Sequence, residues 1–189
     1  MKKSYLVIVV LLILPVAVYA IDFSFGFQAG LRTVNDPNIK EVYKNGVCYF
    51  PYAAANLYKG FTIGAGYEFG YSRDGKIGIY EEATTLKVTG IEAFVGYEYS
   101  LPMVTPYVFV GFGSFSYTQT VVSPSAQNFD KTQSTFFVAG GVKVYPMKNL
   151  YISAEVKYVP LKVKPIEDEV EVDLGGLRLM GGLGFSFGY

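Results

Sequence analysis

The sequence contains no histidine and no tryptophan, and Cys48 is its only cysteine among 189 residues. Without histidine there is no base for a histidine-dependent catalytic triad and no imidazole ligand for a metal. A lone cysteine cannot form a disulfide within the chain, so we interpret Cys48 as a small buried or lipid-facing residue. The sequence therefore predicts a protein that is not an enzyme, with no catalytic residue, no metal site and no cofactor.

The sequence has only one long apolar run and no large excess of one charge. The one long run, Tyr5 to Ala20, follows Lys2 and Lys3 and ends on small residues, which predicts a signal peptide over residues 1–20. An uncleaved anchor helix is the alternative, but the run is shorter than the roughly 20 residues of a typical span. Removing the two lysines from 16 basic residues leaves 14 against 16 acidic ones, a balance that predicts no nucleic-acid partner.

The last stretch of the chain, from Leu177 to Tyr189, alternates with a period of two. Leu177, Leu179, Gly181, Leu183, Phe185, Phe187 and Tyr189 share one face, and Arg178, Met180, Gly182, Gly184, Ser186 and Gly188 share the other. Glycine and serine cover a water-facing surface poorly, whereas a barrel in lipid needs large apolar residues outside and small or polar ones inside. A soluble lipocalin-like binder would need the apolar face inside, where so many large side chains overfill a narrow barrel.

The same alternation recurs along the rest of the chain and predicts one domain over residues 21–189. The predicted strands cover 21–31, 47–57, 61–71, 90–99, 107–118, 136–144, 150–158 and 177–189, with the second strand the least regular. Short turns near 58, 103 and 147 alternate with long loops over 32–46, 72–84, 119–133 and 162–172. Eight strands joined in this way predict an all-β, eight-stranded antiparallel up-and-down transmembrane β-barrel.

The phrase from Tyr145 to Tyr158, YPMKNLYISAEVKY, and the last strand ending in aromatic residues resemble the small outer-membrane β-barrel family. That family includes the OmpA membrane domain, OmpX, OmpW and the opacity proteins. The resemblance implies that the protein lies in the bacterial outer membrane, with the membrane lipid as a partner. It also implies that the barrel-insertion machinery recognises the last strand. The residues implied for that insertion signal are Leu183, Phe185, Phe187 and Tyr189. We expect no wall-anchoring role, because no peptidoglycan-binding domain follows the barrel.

Charged residues collect on the predicted inner face of the strands. They are Glu68, Glu92, Glu98, Lys143, Glu155, Lys157 and Arg178. In a barrel this narrow they are expected to meet as structural ion pairs, with Arg178 or Lys157 between Glu68 and Glu92. A proton or ion path is the alternative. The acidic run over 167–173 is interpreted as a solvated loop, because it lacks the intervening glycine and asparagine of calcium loops.

Tyrosines near the predicted strand ends suggest aromatic girdles at the two membrane interfaces. They are Tyr58, Tyr99, Tyr107, Tyr145 and Tyr151 by the short turns, and Tyr71, Tyr80 and Tyr117 by the long loops. The favoured function is a structural or surface-interaction role, in which four extracellular loops on a plugged, monomeric barrel meet an unknown ligand. The alternative is a narrow channel for small or hydrophobic solutes, as implied by the OmpW-like members.

Overall fold

The computed structural model describes residues 21–77, 81–121, 127–163 and 172–188. The predicted signal peptide, Tyr80, Tyr189 and most of the acidic run lie outside these ranges. The elements are β1 (Asp22–Arg32), α1 (Pro37–Tyr43), β2 (Gly46–Tyr58), β3 (Phe61–Ile77), β4 (Glu82–Glu98), β5 (Val104–Val121), β6 (Gln127–Val144), β7 (Leu150–Val159), β8 (Lys162–Val163), β9 (Val172–Asp173) and β10 (Gly176–Phe187).

Eight of the strands form one closed antiparallel barrel in the order β1-β10-β7-β6-β5-β4-β3-β2. The barrel closes where β10 pairs with β1, in a register that runs from Phe23 opposite Phe187 to Arg32 opposite Arg178. The second predicted strand becomes β2, whose pairing with β3 is interrupted near Tyr58. The predicted fold class is confirmed. In the described part of the chain no helix is both long and apolar enough to cross a membrane.

The outer surface of the barrel is a continuous apolar band. Phe25 on β1 and Leu183 on β10 are 53% and 58% exposed, although both are large apolar side chains. From Phe23 to Leu31 the band spans eight residue-to-residue steps, about 27 Å along the strand. Because the strands of such a barrel are tilted by about 40° from its axis, this is roughly 20 Å along the axis. This is close to the height of about 25 Å expected of a lipid-facing band. The soluble, inward-facing alternative is therefore wrong.

The barrel interior is filled by aromatic rings that lie on glycines. Phe94 on β4 covers Gly64 on β3, and Phe137 on β6 covers Gly111 on β5, so closely that a Cβ at either glycine would collide with the ring. Phe109 and Phe115 on β5 are also buried in the interior. Glycine is thus required on the inner face because it makes room for the neighbouring ring.

Two of the predicted long loops are largely strand. β3 continues to Ile77 and β4 begins at Glu82, whereas residues 72–84 were predicted as a loop. β5 continues to Val121 and β6 begins at Gln127, against a predicted loop over 119–133. These extensions form what we call the outer sheet, residues 71–77, 82–90, 114–121 and 127–135, beyond the apolar band.

The first long loop contains a helix that the sequence analysis did not predict. Asp36 caps α1 by accepting hydrogen bonds from the backbone N–H groups of Asn38 and Ile39, at 2.9 and 3.2 Å. At the other end of α1, the Tyr43 hydroxyl lies 3.1 Å from Thr84 Oγ1 and accepts a hydrogen bond from Gln119 Nε2 at 2.9 Å. The helix therefore rests on the inner face of the outer sheet.

Buried apolar residues from both ends of the chain lie together over the outer mouth of the barrel. The Asn35 N–H donates to the Gly175 carbonyl at 2.9 Å, and the Asp36 N–H donates to the Asp173 carbonyl at 3.2 Å. These contacts hold the segment around α1 against β8 and β9. We call this layer the outer cap; it consists of Val34, Tyr43, Leu161, Val163, Val172 and Leu174.

The aromatic-girdle prediction is wrong for several tyrosines. Tyr58 and Tyr99 are exposed and Tyr145 is half-buried, as a girdle requires. Four others are fully buried in the interior, namely Tyr71, Tyr107, Tyr117 and Tyr151. The position of these four along their strands suits an interface, but their side chains lie on the inner face.

Candidate functional site in the barrel interior

All seven charged residues that the sequence placed on the inner face are buried in the structure. Their exposed fractions run from 0% for Glu68 and Glu92 to 8% for Glu155. Each lies on a barrel strand with its side chain on the same side as the glycines. Because ions buried to this degree are costly unless they are paired, their contacts determine what the interior can do.

The outer part of the interior holds a carboxylate between two arginines. Arg32 Nη1 donates to Glu68 Oε1 at 2.9 Å. Arg178 Nε lies 2.8 Å from the other oxygen, Glu68 Oε2, although its N–H does not point along the contact. We therefore treat the second contact as an ion pair without a hydrogen bond. Glu68 is compensated by both guanidinium groups.

Arg178 also connects this carboxylate to a second one. Its Nη1 lies 3.8 Å from Glu92 Oε1, and Lys157 Nζ donates to Glu92 Oε2 at 2.8 Å. Lys157 Nζ also lies 3.9 Å from Glu155 Oε1 and 3.7 Å from the centre of the Phe50 ring. Arg178 is the cation that spans Glu68 and Glu92, whereas Lys157 spans Glu92 and Glu155.

A second group of polar contacts lies toward the short turns. Lys143 Nζ donates to Glu98 Oε1 at 2.7 Å, and the Tyr107 hydroxyl donates to Glu155 Oε2 at 2.9 Å. The hydroxyls of Tyr52 and Tyr151 lie 2.9 Å apart across the barrel. Tyr107 is thus a partner of a buried charge, and the centre of the Tyr151 ring lies 5.0 Å from Lys143 Nζ, which explains why both rings face inward.

Arg32 is the interior charge that the sequence analysis missed. It was assigned to the first loop, but it is the last residue of β1 and is 1% exposed. Two signals could have found it. It shares the even-numbered face of Ser24 and Gln28, and the seven predicted charges comprise four acids and only three bases. Arg32 supplies the fourth base, so the buried set is electrically neutral.

Little free space remains among these side chains. Between the two charged groups lies a cavity of about 10 Å³, bordered by Gln28, Phe50 and Glu155 among others. A cavity of that size holds at most about one water molecule. The side-chain oxygens Gln28 Oε1 and Glu155 Oε1 have no hydrogen-bond partner within the protein, so a water molecule there would satisfy them.

The residues implied for membrane insertion lie on the lipid face of the closing strand. Leu183, Phe185 and Phe187 are each more than half exposed. They lie opposite Phe27, Phe25 and Phe23 of β1, respectively. Tyr189 lies outside the described residues. The role of these residues as an insertion signal stays a prediction.

The fold has close counterparts among solved structures. Neisserial surface protein A matches with a TM-score of 0.59 and 14% identity over 88% of this chain and 97% of its own. Ail, the attachment invasion locus protein of Yersinia pestis, solved with the heparin analogue sucrose octasulfate, matches with a TM-score of 0.56 and 16% identity, over 89% and 99%. A major outer membrane protein of Thermus thermophilus matches with a TM-score of 0.56 and 16% identity, over 89% and 100%. At these identities the likeness shows the fold.

A comparison with curated proteins finds no match. The model of a protein family, described as the outer membrane protein beta-barrel domain, matches residues 6–187. That match spans nearly the whole chain and agrees with the closed barrel and its apolar exterior, and it places the protein in the bacterial outer membrane. The chain belongs to the family of outer membrane proteins with this β-barrel domain.

Proposed function

We propose that this protein is a sealed outer-membrane barrel whose role is to hold an interaction surface outside the cell. The observation that carries the proposal is the closed interior. Eight buried charges neutralise one another across the lumen, and the cavity between the charged groups has a volume of only about 10 Å³. A barrel filled in this way functions as a rigid mount.

The outer cap adds a second barrier to the passage of solutes. A solute moving along the barrel axis would have to separate Tyr43 from Thr84 and Gln119, and then separate Arg178 from Glu68. Breaking a buried ion pair costs about 3–5 kcal/mol when one partner is left uncompensated. A solute would have to cross both barriers one after the other, which favours the role of a sealed mount over that of a channel.

The outer sheet and the outer cap supply the surface that such a mount would present. Both lie beyond the apolar band, and the outward face of β5 and β6 changes there from Phe112 and Phe136 to Ser114 and Ser134. Two proteins of similar fold are called a surface protein and an attachment protein, the latter solved with a heparin analogue. At 14–16% identity those names suggest a surface role here without identifying its ligand.

The second candidate is a narrow channel for small or hydrophobic solutes. Planar-bilayer recording of the refolded chain separates the two functions, because the sealed barrel is expected to give no discrete openings. The variant Phe115→Ala/Arg178→Ala, which empties part of the lumen, serves as the control that openings can be detected. Discrete openings of the unaltered chain would overturn the sealed-barrel proposal.

The surface role needs its own test. We would join Gly113 to Thr135 with a two-residue turn, which removes the outer β5–β6 hairpin and leaves the residues in the apolar band unchanged. The shortened and complete barrels, embedded in nanodiscs, would be screened on peptide and glycan arrays. Probes bound by the complete barrel alone would support the role, and identical binding profiles would contradict it. The monomeric state and recognition by the insertion machinery also stay predictions.

A further inference from the structure

A furrow crosses the apolar band on one side of the barrel. It has a volume of about 970 Å³, reaches from β1 to β6, and is lined by apolar side chains and glycines. Its floor is a row of alanines in register on three adjacent strands, with Ala53 opposite Ala65 and Ala65 opposite Ala93. The row continues into Phe25 on β1 and Phe112 on β5, so a large ring lies at each end of the alanines.

The furrow has the width of a single hydrocarbon chain. On the side nearer the short turns lies the next row of outward-facing residues, which includes Ile63 and Val95, two residues further along each strand. Rows two residues apart are separated by about 7 Å, and carbon atoms in contact lie about 3.5–4.0 Å apart. A chain of methylene groups can therefore contact both rows at once. Over the alanines it can also reach the floor, from which larger side chains would exclude it.

A polar depression of about 370 Å³ adjoins the furrow at the short-turn end of the barrel. It is formed where β1 begins, where β2 turns into β3 and where β4 ends. Asp22 and Asn56 in the depression are sequence neighbours of Phe23 and Ala55 in the furrow. Tyr97, which is 52% exposed, also lines the depression, and tyrosine rings are common at a membrane interface. The furrow and the depression thus meet where the hydrocarbon of the membrane gives way to its headgroups.

The depression offers a ligand one charge of each sign. Asp22 and Lys59 line it and are both exposed, and neither forms an ion pair with another described residue. Lys59 Nζ lies 5.0 Å from the centre of the Tyr58 ring, a contact that leaves its N–H groups accessible. Glu98, the third charged residue of the depression, is already paired with Lys143 at 2.7 Å. A ligand with both an anionic and a cationic group would therefore find a partner for each.

We infer that the furrow and the depression together bind one phospholipid of the periplasmic leaflet, with an acyl chain in the furrow and a phosphoethanolamine headgroup in the depression. Short turns face the periplasm, so the depression lies at the depth of that leaflet's headgroups. The lining of the furrow admits only hydrocarbon, because a polar group there would lose its hydrogen bonds. Lys59 would bind the phosphate and Asp22 the amine. The site lies at the opposite end of the barrel from the outer sheet, so it goes beyond the proposed function.

Native mass spectrometry of the complete barrel tests the headgroup half of the site. The probes are phosphatidylethanolamine and phosphatidylglycerol with identical acyl chains, offered in equal amounts in detergent micelles. The barrel is expected to retain one lipid and to prefer phosphatidylethanolamine about threefold, because phosphatidylglycerol has no amine for Asp22. Lys59→Gln should lower the retention of both lipids about threefold, and Asp22→Asn should abolish the preference. Lys148→Gln, at an exposed position of another short turn, is the matched control and should change neither result.

The furrow half of the site is tested by filling its floor. Ala65→Leu/Ala93→Leu should lower the retention of both lipids about fivefold or more, because the leucines displace the acyl chain from its contacts. Ala154→Leu makes the same change at a lipid-facing position of β7 outside the furrow and should leave retention unchanged. Circular dichroism would verify that each variant is folded. A barrel that retains no lipid, a dimer that retains none, or equal losses in the furrow variant and in Ala154→Leu would overturn the inference.

Discussion

Replacing Arg178 with methionine should destabilise the barrel by about 3 kcal/mol. At an effective dielectric constant of about 20, its contacts of 2.8 Å to Glu68 and 3.8 Å to Glu92 are worth about 6 and about 4 kcal/mol. The variant no longer has to desolvate the guanidinium group and no longer suffers its repulsion by Arg32. These two gains offset most of the lost attraction. In the variant, Glu68 keeps Arg32 as a partner and Glu92 keeps Lys157. The cost therefore lies at the low end of the range for breaking a buried ion pair.

The double variant Arg178→Met/Glu68→Gln tests the electrostatic origin of that loss. It leaves three buried acids and three buried bases, and a glutamine oxygen at position 68 can still accept from Arg32. We expect the double variant to lose about 1–2 kcal/mol less than the sum of the losses of Arg178→Met and Glu68→Gln measured singly, the sign of coupling for charges in contact. Two losses that simply add would show that the two side chains are not coupled.

The measurement is reversible urea unfolding in lipid vesicles, followed by far-ultraviolet circular dichroism because the chain has no tryptophan. Arg73→Met is the matched control, since Arg73 is exposed on the outer sheet and its loss should change stability by less than about 0.5 kcal/mol. An Arg178→Met variant that loses less than about 1 kcal/mol would show that the buried set does not depend on this cation.

The sequence predicts the barrel well because the bilayer makes the two faces of each strand chemically unlike. Leu183 and Gly184, adjacent in β10, lie on opposite faces, one in lipid and one beneath the Tyr151 ring. That contrast repeats wherever a strand crosses the apolar band. This contrast between the two faces is enough to predict the number of strands, the face on which most residues lie and the inward position of the charges.

The prediction fails where the strands leave the lipid. Outward positions such as Ser114 and Ser116 become polar there, so the hydrophobic alternation disappears while the hydrogen-bonded ladder with β6 continues. α1 is only one or two turns long and has almost no period of its own. Asp36 followed by Pro37 is nevertheless a recognisable helix start, because an N-cap acceptor precedes a proline at the first helical position.

The remaining wrong predictions concern which face of a strand carries the side chain. Tyr107 was assigned to a girdle from its place near a short turn, yet it shares its odd-numbered face with Gly111 and Gly113 and lies inside. Arg32 was assigned to a loop, yet it shares the face of Gln28. In both cases the parity of the residue number along the strand is more informative than the distance from the strand end, because an antiparallel ladder preserves facing to its last pair.

Three further outcomes are expected. Gly111→Ala should lower the free energy of urea unfolding by about 1–3 kcal/mol, because the new Cβ collides with the Phe137 ring. Gly140→Ala should be nearly neutral, since the nearest neighbour of its new Cβ would be 3.8 Å away. Equal costs would contradict the packing of rings on glycines. Phe187→Ala should slow assembly by purified insertion machinery more than it lowers stability, with Phe112→Ala, equally lipid-facing, as control; equal assembly rates would count against the insertion signal. Burial raises the pKa of Tyr43 above 10.0 against the opposing hydrogen bonds from Thr84 and Gln119, so the folded cap favours the neutral phenol. Its stabilisation is then fully present below pH 10 and is lost as the pH rises through the raised pKa. The protection factors of the α1 amides, which divide out the rise of intrinsic exchange with pH, should fall above that pH in the unaltered chain and stay constant in Tyr43→Phe. Identical protection profiles would show that Tyr43 does not hold the cap.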